Sequence, residues 1–501
     1  MRTVSKRTLR TGSLLCLVLM AGSCRKQLDI NHDPNFPSLE LGTPALVLPV
    51  AVLATTGMVG GDLEIVGGMW SEFFTQANGA EQYTKIDTYD LPPSIGFVND
   101  SWTSLYTTGL KNYQFVIDQA GASGDWNYYL MATVMKAYTL QVLVDLYDKV
   151  PYSEALKGSQ KLDPKFDDGY FIYTSLLSSI DSALARDFSA ITNTLPGKQD
   201  LVFSGNMDNW KAFANTLKLK MYLRMINAHA DVATAGITAL YNSGAVFLTT
   251  DAAVTRFTDA PSLDNPLYEQ DKRSLNSPSN IRASTTFVSW LLSNSDPRIV
   301  YYFLAAHPAS INQGDFAGSD PTYASAPVFR GTDHRAATDP VEFISLAESY
   351  FMQTEADIRY FGGSKAKGLY DQGVIAAFAS INLDGSSFVA PGGAYEWGKE
   401  MEGGVALGQI EQVIRQKWAS CAFGCHALEA YMEKNRTGFP ASSSVYSTDA
   451  AYVPGRLVIT RNSSLGPGLM PKRFVWPSTE STKNSNTPAQ VPSTTPVWWA
   501  K

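Results

Sequence analysis

The stretch WNYYLMATVMKAYTLQVLVDLY, residues 126–147, constrains this chain more than any other. It contains neither glycine nor proline, and Tyr129, Ala132, Met135, Ala137, Leu140, Leu143 and Val144 place apolar side chains around much of a helical cylinder. A helix that is apolar on several sides has to lie inside, with other elements wrapped around it. Asp148 to Pro151 then stops it, because proline removes a backbone donor and restricts the residue before it.

The rest of the chain alternates between helical periodicity and polar, Gly/Pro-rich text. In SWTSLYTTGLKNYQFVIDQA, Trp102, Leu105, Tyr106, Leu110, Tyr113 and Ile117 recur at intervals of three and four, which predicts an amphipathic helix capped by Asp100 or Ser101. Similar patterns predict helices over 44–59, 153–158, 169–187, 208–229, 285–292, 342–361, 365–380, 410–418 and 427–435. Helix pairs with short connections recur as in an α-solenoid, without the signature of a 34-residue repeat. Segments 188–207, 255–284, 307–341, 381–408 and 440–496 lack such periodicity, and 76–100 reads as a long surface loop. Loops of this total length commonly form a binding surface. The expectation is a mainly α fold with an irregular, loop-rich half, in one unit over residues 24–501.

The first 23 residues form a leader: Arg2, Lys6, Arg7 and Arg10 precede an apolar run from Leu14 to Ala21, and Gly22 and Ser23 stand before Cys24. That run is too short to span a bilayer, which takes roughly 20 residues, and no later segment reads as a span. Ala21-Gly22-Ser23-Cys24 is similar to a bacterial lipobox, although a leucine usually stands where Ala21 is. Cys24 is therefore the expected lipidation site, against a cleaved secreted protein or an uncleaved anchor. Acyl chains contribute about 0.8 kcal/mol per buried CH₂, so several on one cysteine give lasting attachment.

Downstream, Asp29, Asn31, Asp33, Asn35 and Glu40 have the spacing of a calcium loop, but Pro34 occupies the position where glycine must turn the backbone. The stretch reads better as a turn around Pro34. A net charge of −7, with no basic cluster beyond the N-terminus, argues against nucleic acid. HExxH, GxSxG, GxxxxGK[ST] and paired CxxC motifs are missing and the five histidines are scattered, so no catalytic centre, metal site or cofactor is expected. A glycosidase would need two carboxylates about 5–9.5 Å apart, and no pair stands out in the sequence.

Several blocks, in order, resemble the SusD/RagB family of nutrient-binding outer-membrane lipoproteins. They are Cys24 with INHDPNFPS, then KAYTLQVLVDLYDKVPYSEA (136–155), WKAFANTLKLKMYLRM (210–225), LAESYFMQTEADIRYFGG with LYDQGVIAAF, IRQKWAS, LEAYMEKNRTGFP, and PKRFVWPSTE followed by the final VWW. The insertion SCAFGCHAL and Asn435, where an arginine usually precedes Arg436-Thr437-Gly438, depart from the pattern. The blocks read as scaffold: Asp145, Asp148 and Tyr152 at a helix end, Lys417 and Trp418 pinning a helix, and Arg436 paired with Glu429. Cys421 and Cys425 are read as a small disulfide, free thiols or, least favoured, metal ligands.

The resemblance implies a fold with tetratricopeptide-like helix pairs. It also implies a lipid-anchored protein on the cell surface that binds a nutrient, an oligosaccharide or a peptide, and passes it to a SusC-like TonB-dependent transporter without catalysis. The alternatives are a surface glycan-degrading enzyme and a structural or adhesion subunit. Sugar binding sets aromatic faces against sugar rings and amides against hydroxyls. The expected ligand contacts are accordingly Gln76, Asn78, Tyr83 and Tyr89 in one loop, near where the family tends to place such residues, and Tyr395 and Trp397 in PGGAYEWGKE. Trp70 and Trp102 are expected in the core.

Overall fold

A computed structural model describes residues 42–275, 280–317, 335–422, 424 and 426–500. The leader, the Pro34 turn, Cys24 and Cys425 lie outside the described residues.

The fold is mainly helical. The principal helices are α1 (Pro44–Val59), α2 (Asp62–Trp70), α3 (Gly96–Ser104), α4 (Lys111–Ser123), α5 (Trp126–Tyr147), α6 (Gly169–Leu184), α7 (Met207–Arg224), α8 (Ala230–Asn242), α9 (Thr285–Ser293), α10 (Leu346–Tyr360), α11 (Ala366–Ala379), α12 (Gln409–Ser420), α13 (Ala427–Thr437) and α14 (Ser478–Lys483). Short strands pair in antiparallel twos: β1 (Phe74–Gln76) with β5 (Ile281–Ala283), β2 (Lys149–Pro151) with β3 (Phe166–Asp168), β4 (Ala252–Val254) with β6 (Val341–Ile344), and β7 (Met401–Glu402) with β8 (Val405–Ala406). Neighbours in sequence pack on one another, α4 on α5, α7 on α8 and α10 on α11, so the helix-pair expectation holds.

α5 is the central helix expected from its breaker-free sequence, and nearly all its side chains are buried. It stops at Asp148, whose φ of +71° leaves the helical region. The C-terminal segment straps that end: the Trp499 indole donates to Asp145 at 2.8 Å, the Trp498 N–H to Asp148 at 2.6 Å, and the Phe474 N–H to the Leu146 carbonyl at 2.7 Å.

Several boundaries differ from the sequence expectation. The helix around Trp102 begins at Gly96 and passes through a π-helical stretch, Leu105–Leu110, so neither Asp100 nor Ser101 caps it; the Ser101 hydroxyl instead bonds the Phe97 carbonyl. Residues 153–157 form turns rather than a helix, with Leu156 at φ +64°. Residues 342–344 belong to β6, and α10 starts only after Ser345, whose hydroxyl accepts from the Glu348 N–H at 3.0 Å. One later stretch does match a membrane span in length and hydropathy, Pro44–Trp70, but the break at Gly60 and Gly61 divides it into α1 and α2, whose inner faces belong to the core. Gly67 is required there, because a Cβ would sit 2.3 Å from the Leu428 backbone nitrogen of α13.

The helices converge on a buried network of charges. Arg224 of α7 reaches Glu429 at 2.7 Å and Glu433 at 2.5 Å on α13, with Asp145 of α5 at 3.4 Å. Lys220 bonds Glu429 at 2.8 Å and Glu348 of α10 at 3.1 Å, and Lys417 of α12 holds the same two carboxylates at 2.8 and 3.2 Å. The His426 ring contacts Glu348 at 2.6 Å. Arg436 pairs with Glu355 at 2.6 Å and Glu433 at 2.5 Å, which corrects the expected Arg436–Glu429 pair: Glu429 is already held by Lys220, Arg224 and Lys417. Burial pushes the Glu429 carboxyl up, but Arg224, Lys220 and Lys417 outweigh that and hold it down at about 2. Trp418 pins α12 as expected, its indole donating to the Ser71 carbonyl at 2.9 Å.

Removing one partner of such a network strands the others in a medium where an unpaired charge is costly. Arg224→Met is expected to lower unfolding stability by about 3–5 kcal/mol in urea denaturation; a loss within experimental error would show that the network does not hold the helices.

Candidate functional site

The pairing of β1 with β5, Phe74 against Ala283 and Gln76 against Ile281, sets the base of a loop whose tip is Asn78–Gln82. Gln76 clamps this tip from below. Its side-chain oxygen accepts from the Tyr83 N–H at 2.7 Å, and its amide nitrogen donates to the Asn280 carbonyl at 3.1 Å. The Tyr83 hydroxyl donates to Asp271 at 2.8 Å, and its ring meets Phe97 edge-on at 6.0 Å. Gly79, Glu81 and Gln82 are exposed, while Asn78 is half-buried and its side-chain oxygen has no hydrogen-bond partner among the described residues.

Two further loops meet the tip. The Gly79 N–H donates to the Phe316 carbonyl at 3.1 Å, which brings in residues 311–317. A C-terminal loop, 446–464, is tied to both: Tyr446 donates to the Gln313 carbonyl, Asn462 to the Gly314 carbonyl at 2.8 Å, and the Ser464 N–H to the Thr88 carbonyl at 2.8 Å. Arg461 lies over the Tyr446 ring at 4.3 Å, and its side chain is half exposed, with Asp315 at 3.8 Å. The product is a rim with an exposed amide from Gln82, a guanidinium from Arg461 and a carboxylate from Asp315, beside the half-buried Asn78, whose side-chain oxygen faces inward.

The floor of this rim is polar and buried. Asp87 accepts from Thr75 at 3.2 Å and from the Gln313 amide at 2.6 Å, and burial pushes its carboxyl up to about 7. Glu72, at φ +60°, accepts from Thr286 at 2.5 Å, and burial pushes it up to about 8. Tyr89 sits above Trp70, with ring centroids 6.2 Å apart.

The expected contact residues divide by burial. Gln76, Tyr83 and Tyr395 are fully buried and Tyr89 is 2% exposed, so none of the three tyrosine rings presents a face on which a sugar could stack; the stretch 76–100, expected as a surface loop, mixes exposed residues such as Glu81, Gln82 and Asp90 with buried ones such as Ile86 and Asp87. Asn78 remains at the rim. Tyr395 belongs to the aromatic core, stacked on Trp290 at 5.5 Å with its hydroxyl donating to Asp296 at 2.6 Å. Trp397 is half-buried against Tyr370 at 4.9 Å, in that other part of the fold. Trp70 and Trp102 are core residues, as expected. Arg461, Tyr446 and Asp315 carry no local sequence signal as a group: Tyr446 and Arg461 lie 15 residues apart, but the segment they meet, at Gln313 and Asp315, lies more than a hundred residues earlier. Cys421 is buried, and its expected partner Cys425 lies outside the described residues. Among the described residues no group of three His, Cys, Asp or Glu side chains has the arrangement of a metal site.

Comparison with known proteins follows the fold. Residues 68–460 match a SusD-like family model described as starch-binding and associating with the outer membrane. Similar solved structures include a chitin-binding protein (21% identity, TM-score 0.71, covering 92% of this chain and 100% of that one). A chitin-binding SusD homologue from Flavobacterium johnsoniae is similar over 91% of this chain and 98% of its own, with 18% identity and a TM-score of 0.71. A SusD homologue from Bacteroides uniformis has 20% identity and a TM-score of 0.69, covering 91% and 99%. At these identities the likeness concerns the fold. No curated protein matches the sequence.

The buried Glu72 gives the site floor a pH dependence of definite sign. Between its ordinary value of 4.5 and its native value of about 8 the folded chain holds a proton that the unfolded chain releases, so this group's contribution to stability falls as pH rises through that window. Glu72→Gln is expected to flatten the decline in Tm between about pH 5 and about pH 8 relative to the wild type; parallel profiles would refute the assignment.

Proposed function

Because the chain belongs to the SusD-like family, whose members are outer-membrane-associated binding proteins rather than enzymes, we propose that it captures an oligosaccharide at the cell surface and delivers it to a SusC-like TonB-dependent transporter. The observation that carries this reading is the family match over residues 68–460. The rim supports it: neutral sugars present many hydroxyls, and the exposed Gln82 and Arg461 with the partly exposed Asp315 offer both donors and acceptors. Asn78 is the contact retained from the sequence expectation at this rim. Gln76, Tyr83 and Tyr89 act from beneath it as supports, Trp397 offers a separate half-exposed ring, and Tyr395 holds the core behind it. The mature unit runs from Cys24 to residue 501, and acyl chains on Cys24 hold it in the outer membrane with its loops outward. A peptide ligand in place of a glycan is the variant that the binding experiment distinguishes.

Calorimetry with a panel of starch, chitin and hemicellulose oligosaccharides and of short peptides is expected to give saturable glycan binding. A neutral hydrogen bond is worth about 0.5–1.5 kcal/mol and one involving a charged group about 1.5–3 kcal/mol, so Asn78→Ala is expected to weaken binding by roughly 2- to 10-fold and Arg461→Ala by roughly 10- to 100-fold. Tyr395→Phe is expected to leave affinity unchanged. Folded protein that binds no glycan would end the proposal, and binding restricted to peptides would change its ligand class.

Attachment is tested independently of binding. The wild type is expected to incorporate labelled palmitate and to fractionate with the outer membrane, whereas Cys24→Ala is expected to take up no label and to leave that fraction. Equal membrane retention of both forms, without label, would remove the lipid anchor.

A further inference from the structure

Away from the loop rim, a cleft of about 260 Å³ opens between the helical run Gly96–Leu110, the turn at 151–156 and α14. Tyr106, Pro151, Leu156 and Pro164 line its apolar side, and Glu480 and Lys483 lie one turn apart on α14 along the polar side. Its size is slightly below the roughly 300–1,000 Å³ of pockets for drug-sized ligands, which suits one small ring rather than a whole oligomer.

The polar side is built, not incidental. One Glu480 oxygen accepts from the Trp102 indole at 3.2 Å and the other from the Asn484 amide at 2.8 Å, so the carboxylate is held from two directions. An ionised carboxylate has about four acceptor positions, which leaves about two for donors from outside. The Tyr106 hydroxyl is engaged by the Pro151 carbonyl at 2.7 Å, which fixes its ring as part of the wall. Leu156 is held at φ +64°, a left-handed conformation uncommon outside glycine, and such strained positions cluster at ligand clamps. An apolar wall opposite a fixed carboxylate with two free acceptor positions matches a ring that carries C–H groups on its face and paired hydroxyls on its edge.

We infer that this cleft is a second saccharide site, in which one neutral pyranose unit rests on Tyr106 and Leu156 while two adjacent hydroxyls donate to Glu480. The choice of ligand class rests on the glycan reading above. Phe97, which touches Tyr83 beneath the rim, and Tyr106 lie nine residues apart on the same helical run, a rise of roughly 14 Å, so the two sites are distinct places on one rigid element.

The test follows the leucine methyl resonances of the full mature chain during titration with maltotriose, chitotriose, cellotriose, xylotriose and galactose. The expected result is a saturable shift of the Leu156 methyls with at least one sugar. That shift is abolished when Thr103→Trp fills the cleft mouth from an exposed helix position, weakened at least tenfold in Kd by Glu480→Gln, and unaltered in Asn78→Ala. Melting curves of the three variants establish that each is folded. Leu156 methyls that stay still with every sugar, or shift equally in Thr103→Trp, overturn the proposal. In that event glycan-dependent shifts near the rim would leave the main reading standing, while silence throughout the chain would remove both.

Discussion

Taking full charges out of water is the most demanding thing this fold does, and the arrangement of its helices follows from how those charges are satisfied. An isolated buried carboxylate or guanidinium carries a desolvation cost of several kcal/mol that one partner rarely offsets. Here Glu429 meets Lys220, Arg224 and Lys417 together, and Arg436 is shared between Glu355 and Glu433. The spacing of Lys220 with Arg224 and of Glu429 with Glu433 places each set on one face of its helix. Sliding α7, α10, α12 or α13 by a turn would break several pairs at once. The network thus fixes the register of helices that apolar contacts alone would hold less specifically.

On that rigid half sits a half made of loops, and its order comes from hydrogen bonds between segments far apart in sequence. Gln76, Tyr83 and Asp87 turn side chains that look ready for a ligand into braces that hold the Asn78 tip against residues 311–317 and 446–464. What is left exposed is a modest set of polar groups on a stiff base. Such a base suits a receptor, because little ordering is left to be done when a ligand arrives.

The scaffold was legible because its signals are local. Periodicity and the absence of breakers marked α5 from Trp126 to Tyr147, and α1 emerged with its limits intact although Pro49 and Gly57 lie inside it. The ordered blocks of family likeness then supplied what periodicity lacks, namely which helices belong together. The candidate site was legible only in part, for a physical reason. An aromatic residue among amides reads as surface, yet Tyr83 is buried by an aspartate 188 positions away and Tyr395 by one 99 positions away. Arg436 is expected to pair with Glu429, seven residues off, and pairs instead with Glu433 on its own helix and with Glu355, 81 residues earlier. No local window contains Asp271, Asp296 or Glu355 beside the residue that each one holds.

The strap of Trp498 and Trp499 across the end of α5 has a consequence for biogenesis. Asp145 and Asp148 precede their tryptophan partners by 354 and 350 residues, and although Gln141, Tyr173 and Arg224 also engage Asp145, the two tryptophan donors reach this end of the central helix only with the last residues made. A chain broken off before residue 498 lacks both donors and leaves this end of α5 without its strap.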